Sequence, residues 1–275
     1  MQNLSLLEDI KQEIKSALID KQLPIFGGLS TYAKSIAYSG ISPLPEGTQC
    51  RESSFTVLPG YDFSMIKDMS YMFYECLNLV TVPKLNTLAA INMSGLFVGC
   101  QALVEIQKID TLNVTDMHSM FASCTSLTTI PQLDTSKVTT MCGPNYGGMF
   151  TWCESLTSIP QMDTSNVTNM KYMFYGCESL TTIPLMDTSK VTDISYMLDG
   201  CRSLKNLGGF IGLRLSLKLS NFTLLTHESL MNVINNLADV HKEPLVKTLT
   251  LGEWNINKLT TEEIAIATGK GWIVN

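Results

Sequence analysis

Apolar positions in the middle of the chain follow two short spacings, both locked to one long period. The copy from Met170 to Asp193 reads M-K-Y-M-F-Y-G-C-E-S-L-T-T-I-P-L-M-D-T-S-K-V-T-D. In it Leu180, Ile183 and Met186 stand three apart. That spacing predicts a short segment around Leu-Thr-Thr-Ile that pairs with its copies as a parallel ladder, about 4.8 Å apart. Met170, Met173, Phe174 and Cys177 stand three or four apart, which predicts a short helical turn on the opposite side. Cys76, Cys100, Cys124, Cys153, Cys177 and Cys201 mark one slot, at intervals of 24, 24, 29, 24 and 24 residues. One copy cannot bury its own apolar face, so a fixed period in the twenties implies copies stacked on one another around a continuous core.

The flanks follow other patterns. Residues 1–47 carry Leu4, Leu7, Ile10, Ile14 and Leu18 among Glu8, Lys11, Glu13 and Lys15, which predicts an amphipathic helix over 3–19. A second short helix is expected from Ser30 to Gly40. This segment is expected to cap the first copy or to attach the chain to something else. The repeats occupy 48–207, and Gly208-Gly209 then breaks their text. In 208–275, alternating Leu213, Leu215, Leu217 and Leu219 predict a strand. Thr226 is placed to cap a helix whose apolar face is Leu230, Val233, Ile234 and Leu237. Val246 to Leu251 reads as a strand, Thr260 to Glu263 as a capping box opening a helix through Ala267, and Gly271 to Val274 as a last strand. Such an ending suits the C-terminal cap that an open stack needs, with Trp254 and Trp272 in its core. The expected class is α/β: a leucine-rich-repeat solenoid with a parallel β-ladder and short helical turns, an N-terminal helical segment and a C-terminal α/β cap.

Asp62, Asp110, Asp134, Asp163 and Asp187 hold one slot, Asn86 being the variant, and Ser or Thr follows in most copies. Capping of backbone N–H groups at a helix start explains that column better than calcium, which requires six to eight oxygens. No metal and no cofactor is expected. The six aligned cysteines would keep their Cβ atoms near the ladder spacing, too far apart and too parallel for a disulfide, so they are expected as buried thiols. Cys50 and Cys142 lie off the ladder and are left open.

At this point the text M-F-x-x-C-x-x-L-x-x-I-P-x-[LM]-D-T-S-x-V-T resembles the BspA-type leucine-rich repeats of bacterial and mycoplasma surface proteins, over roughly residues 54–206. The resemblance implies adhesion or recognition and carries no catalytic residues. The N-terminal text, L-x-D-I-K-Q-E-I-K-S-A-L-I-D-K, resembles short segments of phage tail-associated proteins and implies contact with other virion proteins.

Composition narrows the classes. A net charge of −6 with 16% charged residues excludes the clustered Lys and Arg of a nucleic-acid surface. There is no apolar run of 18 residues for a membrane span. The start, M-Q-N-L-S-L-L-E-D-I, lacks a basic region followed by an apolar one, so no signal peptide is expected. That favours a virion protein, assembled without export, over a bacterial cell-surface or secreted adhesin. The three histidines are scattered, and no P-loop, Rossmann fingerprint or G-x-S-x-G appears, so an enzyme is not expected.

The 29-residue interval arises where Cys142 to Gly148 replace two residues of the next copy, a gain of five. Function in stacked repeats tends to sit where the copies differ. Asn145, Tyr146 and Trp152 are therefore the candidate binding residues, extended by Tyr172 and Tyr175 one copy on. Aromatic residues on a weakly charged surface suit a protein or glycan ligand on a cell surface. A homo-oligomer is compatible with everything above.

Overall fold

The computed structural model describes residues 50–51, 56–58, 63–143 and 147–275. The expected N-terminal helices, the Asp62 slot, and Asn145 and Tyr146 lie outside the described residues.

On the ladder side, short parallel strands pair at the repeat period. β1 (Thr81–Val82) pairs with β2 (Glu105–Ile106). β3 (Cys142–Gly143) and β4 (Gly147–Gly148) form an antiparallel hairpin within the insertion. β5 (Thr182–Ile183) pairs with β7 (Asn206–Leu207), and β6 (Met186–Asp187) with β8 (Phe210–Ile211). Single parallel bridges such as Ser158 to Thr182 and Asp116 to Thr140 join the coils between them. The core runs the length of this stack. Phe73, Phe97, Phe121, Phe150 and Phe174 lie face to face along it, with ring centroids 5.4 to 5.9 Å apart.

The opposite side corrects the expected helical turns. No helix forms among the described residues before 227. Each copy instead makes a chain of tight turns bonded sideways. The N–H groups of Met69, Tyr71, Phe73 and Glu75 donate to the carbonyls of Asn92, Ser94, Leu96 and Val98 on the next coil, at 2.7 to 3.0 Å. The N–H groups of Met72, Tyr74 and Cys76 turn back onto Met69, Tyr71 and Phe73 of their own coil. A helix would aim every N–H along its own axis and leave neighbouring coils unbonded. Alternation between the two directions satisfies the backbone and ties the stack together at once.

Two further columns brace the coils. Thr87, Thr111, Thr135, Thr164 and Thr188 are buried, and each hydroxyl donates to the carbonyl of Asp110, Asp134, Asp163, Asp187 or Ile211 on the next coil, at 2.6 to 2.9 Å. The cysteine column is buried and is more than hydrophobic filling. Each Sγ from Cys100 to Cys201 donates at 3.1 Å to the carbonyl of the Phe three residues before the preceding coil's cysteine, and Cys76 donates to Cys50 in the same way. Cys50 thus supplies the carbonyl that a Phe supplies in the later coils, while Cys142 is half-buried in the hairpin. Burial pushes the Cys201 thiol up to about 12 and those of Cys124 and Cys177 well above the usual thiol range.

The Asp column caps turns rather than helices. Asp134, Asp163 and Asp187 accept from the N–H two residues on, at 2.9 to 3.0 Å. Asp68, Asn92, Asp116, Asn169 and Asp193 form a second such column that the repeat text also contains.

The C-terminal region continues the same core. The expected strand over 213–219 narrows to β9 (Leu217–Lys218), which pairs with β10 (Lys247–Thr250), itself paired with β11 (Trp272–Val274). α1 (His227–Asn236) begins at Thr226, whose hydroxyl accepts from Ser229 N–H, and buries Leu230, Val233 and Ile234. α2 (Gly252–Ile256) is short. α3 (Thr261–Thr268) carries the capping box of Thr260 and Glu263. Trp272 is buried, with its indole N–H on the Ala238 carbonyl at 2.9 Å. Trp254 corrects the expectation of a core residue: it is 71% exposed, and its neighbour Asn255 points inward instead, donating to the carbonyls of Leu219, Phe222 and Leu251. None of the described helices is long and apolar enough to cross a membrane.

Candidate functional site

The turn side displays its side chains through an unusual backbone. Two slots four residues apart take positive φ in coil after coil: Tyr71 and Glu75, Gly95 and Gly99, Ser119 and Ser123, Tyr172 and Gly176, Tyr196 and Gly200. Trp152, in the second slot of the fourth coil, has φ 60°. Glycine adopts this region without penalty, whereas a residue with Cβ costs about 1–2 kcal/mol there. Tyr and Trp at these slots therefore carry strain that glycine would relieve.

Small residues in one coil make room for rings from another. The Trp152 indole lies against Gly176, where an added Cβ would come within 2.5 Å of the ring. The Tyr71 ring covers Gly95 in the same manner, at 2.4 Å.

The rings gather into two patches, separated by coils with glycine and serine at both slots. In the larger patch Trp152 meets Tyr175 edge-on at 5.0 Å, Tyr175 meets Tyr172 edge-on at 5.6 Å, and Tyr172 stacks on Tyr196 at 5.0 Å. Lys171 Nζ sits 5.2 Å from the Tyr172 centroid. Trp152 and Tyr196 are exposed, Tyr172 and Tyr175 half-buried. Three of the five residues expected from the sequence, Trp152, Tyr172 and Tyr175, thus come together. Tyr196 and Lys171 complete the group. Tyr196 shares the slot of Tyr172 one period on, and that shared slot was the signal that could have included it.

The smaller patch holds Tyr71 and Tyr74, with the Arg51 guanidinium 5.7 and 5.9 Å from their centroids. The Tyr71 hydroxyl lies 3.3 Å from His118 Nε2, and His118 Nδ1 lies 2.8 Å from Asp116 Oδ1. Burial works against the Asp116 charge, but hydrogen bonds from the His118 ring and backbone outweigh it and hold the carboxyl below its usual range. The His118 ring is wedged against Gly143 of the hairpin. This chain of contacts ties the first and third coils to the insertion.

The insertion leaves the core columns intact around it, although among the described residues Ser119 and Met141 N–H make no bond to the next coil. The Phe121 and Phe150 centroids on either side are 5.7 Å apart, like their neighbours, and Cys153 still donates to Phe121 at 3.1 Å. Gly148 is needed for the return, because a Cβ there would lie 2.1 Å from the Tyr172 carbonyl oxygen.

Among the described residues no group of His, Cys, Asp and Glu is arranged to hold a metal ion. A family model described as "Mycoplasma protein of unknown function, DUF285" matches the chain twice, over residues 48–144 and 91–210. Together the matches span more than half of the chain, which belongs to this family of repeat-bearing proteins. No curated protein and no solved structure matches it.

Proposed function

We propose that this is a non-catalytic recognition or adhesion protein, a leucine-rich-repeat solenoid whose turn side meets a protein or glycan on a cell surface. The observation that carries this reading is the contiguous patch of Trp152, Tyr172, Tyr175 and Tyr196 with Lys171 beside it. Aromatic faces stack on the apolar faces of sugars and on side chains, while the indole N–H and phenol hydroxyls supply directional bonds. Three of these rings sit on left-handed backbone, a cost that display on the surface would offset. The DUF285 family is known in BspA-like surface-repeat proteins, which supports a surface role.

The carrier is proposed to be a phage virion, with residues 1–47 attaching the chain to other virion proteins. A bacterial cell-surface or secreted adhesin is the second reading, favoured by the mycoplasma description of the family. Neither reading involves nucleic acid.

Binding of the full-length protein to bacterial cells and glycan arrays, compared with the Trp152→Ala/Tyr172→Ala double variant, tests the site. At least a tenfold loss is expected, since buried aromatic anchors typically contribute 2 kcal/mol or more, on the order of a hot spot. Undiminished binding by a folded double variant would overturn it. Replacing residues 142–148 by Lys-Tyr asks separately whether Asn145 and Tyr146 contribute.

A further inference from the structure

The stack ends unevenly. Between the last two coils, the N–H groups of Met170, Tyr172, Phe174 and Gly176 donate to the carbonyls of Asp193, Ser195, Met197 and Asp199, at 2.8 to 3.1 Å. One period on, the corresponding donors are Ile194, Tyr196, Leu198 and Gly200. Among the described residues none of these four N–H groups has an acceptor. The ladder side of the same coil is closed by α1. Ser229 Oγ bridges Lys205 and Leu207, Thr226 N–H donates to Lys205, and Gly212 N–H donates to Asn236. On the turn side the chain crosses without pairing. It leaves a cleft of about 430 Å³ between Ile194, Tyr196 and Leu198 on one wall and Leu215, Leu217 and Lys218 on the other. A second cleft of about 380 Å³ lies beside Gly200, lined also by Asn221 and Phe222.

We propose that this end of the stack is a docking site for a polypeptide segment of a partner that follows the same chain of turns, and whose alternate carbonyls complete one more row of backbone bonds. An unpaired row of backbone groups is a template for chain addition, and here every group in the row is a donor. Two copies of this protein cannot meet through it end to end, because donors would face donors. At the other end of a copy the Met72 carbonyl of the matching row already accepts from Cys50 N–H. The occupant has to match the row. In the coils that residues follow here, positive φ recurs four residues apart, as at Tyr196 and Gly200, so a segment with glycine at that spacing fits. The first cleft carries Asp193 and Asp199 against Lys218, while Arg202 lines the second, so Lys or Arg is favoured at the end of the segment beside Asp193. The site lies beyond the aromatic patch and does not depend on it, although Tyr196 borders both.

The probe is a peptide of the protein's own Asn92 to Gly99 text, N-M-S-G-L-F-V-G, with two lysines added at the end beside Asp193. That text already pairs in this pattern with the coil before it, with φ of 60° at Gly95 and 74° at Gly99. Amide exchange of the full-length protein is followed by NMR. In the free protein the four end amides should exchange faster than those of Met170, Tyr172, Phe174 and Gly176. Saturation with the peptide should slow them at least tenfold. Valine in place of both glycines in the peptide should weaken binding at least tenfold, and Asp199→Lys in the protein several-fold. The proposal is overturned if the four amides are already slow in the free protein. Slowness at every concentration would make a segment of the same chain the occupant, and slowness that rises with concentration and mass would make it a second copy. It is equally overturned if the peptide fails to bind, binds without slowing these amides, or binds as well with valine.

Discussion

The repeat stack and the C-terminal region share one apolar core but hold it together by opposite means. In the stack each kind of bond recurs from coil to coil: backbone to backbone, Thr hydroxyl to carbonyl, Cys thiol to carbonyl. After residue 214 the important bonds are made once. Lys258 Nζ donates to the carbonyls of Thr223 and Leu225 and to Asn255, and Lys270 Nζ closes the end of α1 on Ile234 and Asn235. Repetition spreads the load over many equivalent sites, whereas the C-terminal region relies on particular residues in particular places. The stack should therefore fail together when conditions attack a whole column, and the C-terminal region should fail at single positions.

The largest expected effect attacks a column. The thiols of Cys100, Cys124, Cys153, Cys177 and Cys201 titrate above the unfolded value, Cys100 first through its hydrogen bond with Cys76 and then through burial, the other four mainly through burial. Folding holds them protonated, so their stabilisation is full below the unfolded thiol value, about 8.5, and is lost as pH rises toward the folded one. Each thiol contributes about 1.4 kcal/mol per pH unit across that window. Denaturant melts under reducing conditions should show a steep fall above about pH 9. A flat profile to pH 11 would mean the thiols are not buried, on the order of the usual values.

Phe121→Ala should cost about 3–5 kcal/mol in the same melts, as a large cavity between stacked rings. Trp254→Ala should stay within about 0.5 kcal/mol, because the side chain is exposed. Equal losses would erase the contrast between column and surface.

Thr135→Val keeps the shape but leaves the Asp163 carbonyl without its buried donor, and about 1–3 kcal/mol is expected. Thr260→Ala, the loss of a single cap in the C-terminal region, should cost about 1 kcal/mol.

Acid sensitivity is a further small effect. The Ser136 hydroxyl and backbone N–H hold Asp134 below the usual carboxylate range, and Ser165 does the same for Asp163. Their stabilisation is present above the unfolded value of about 3.9 and fades as pH falls through the lower folded one. Asp134→Ala should cost about 0.5–1 kcal/mol at neutral pH, and its difference from the parent should vanish in melts near pH 2.

The period, the Phe and Cys columns and the capped helices α1 and α3 were legible because each rests on local chemistry: Thr226 and Thr260 cap where a capping residue was expected. The turn side was misread for a definite reason. Met69, Met72, Phe73 and Cys76 have helical spacing, yet a laterally bonded chain of turns buries the same positions. What separates the two is the glycine recurring at these slots, as at Gly95 with Gly99 and at Gly176 and Gly200, where left-handed backbone is needed. Trp254 was misplaced because side-chain size does not say which flank of a five-residue helix faces inward, and Asn255 took that place. In the candidate site, shared slots showed that Tyr172 and Tyr196 align. The contact of Trp152 with Tyr175 joins different slots of adjacent coils and needed the structure to be seen.

The Phe and Cys columns run on past the β3–β4 hairpin, and this bears on how such a gene can change. A coil duplicated or deleted whole creates only junctions of a kind the protein already contains, and a hairpin grown between coils leaves the stacked rings and thiols of its neighbours in place. Length and decoration are then separable inheritances. Recombination among near-identical repeats can alter the reach of the molecule, while point changes at the left-handed slots alter what it displays. Neither route has to solve the folding problem again.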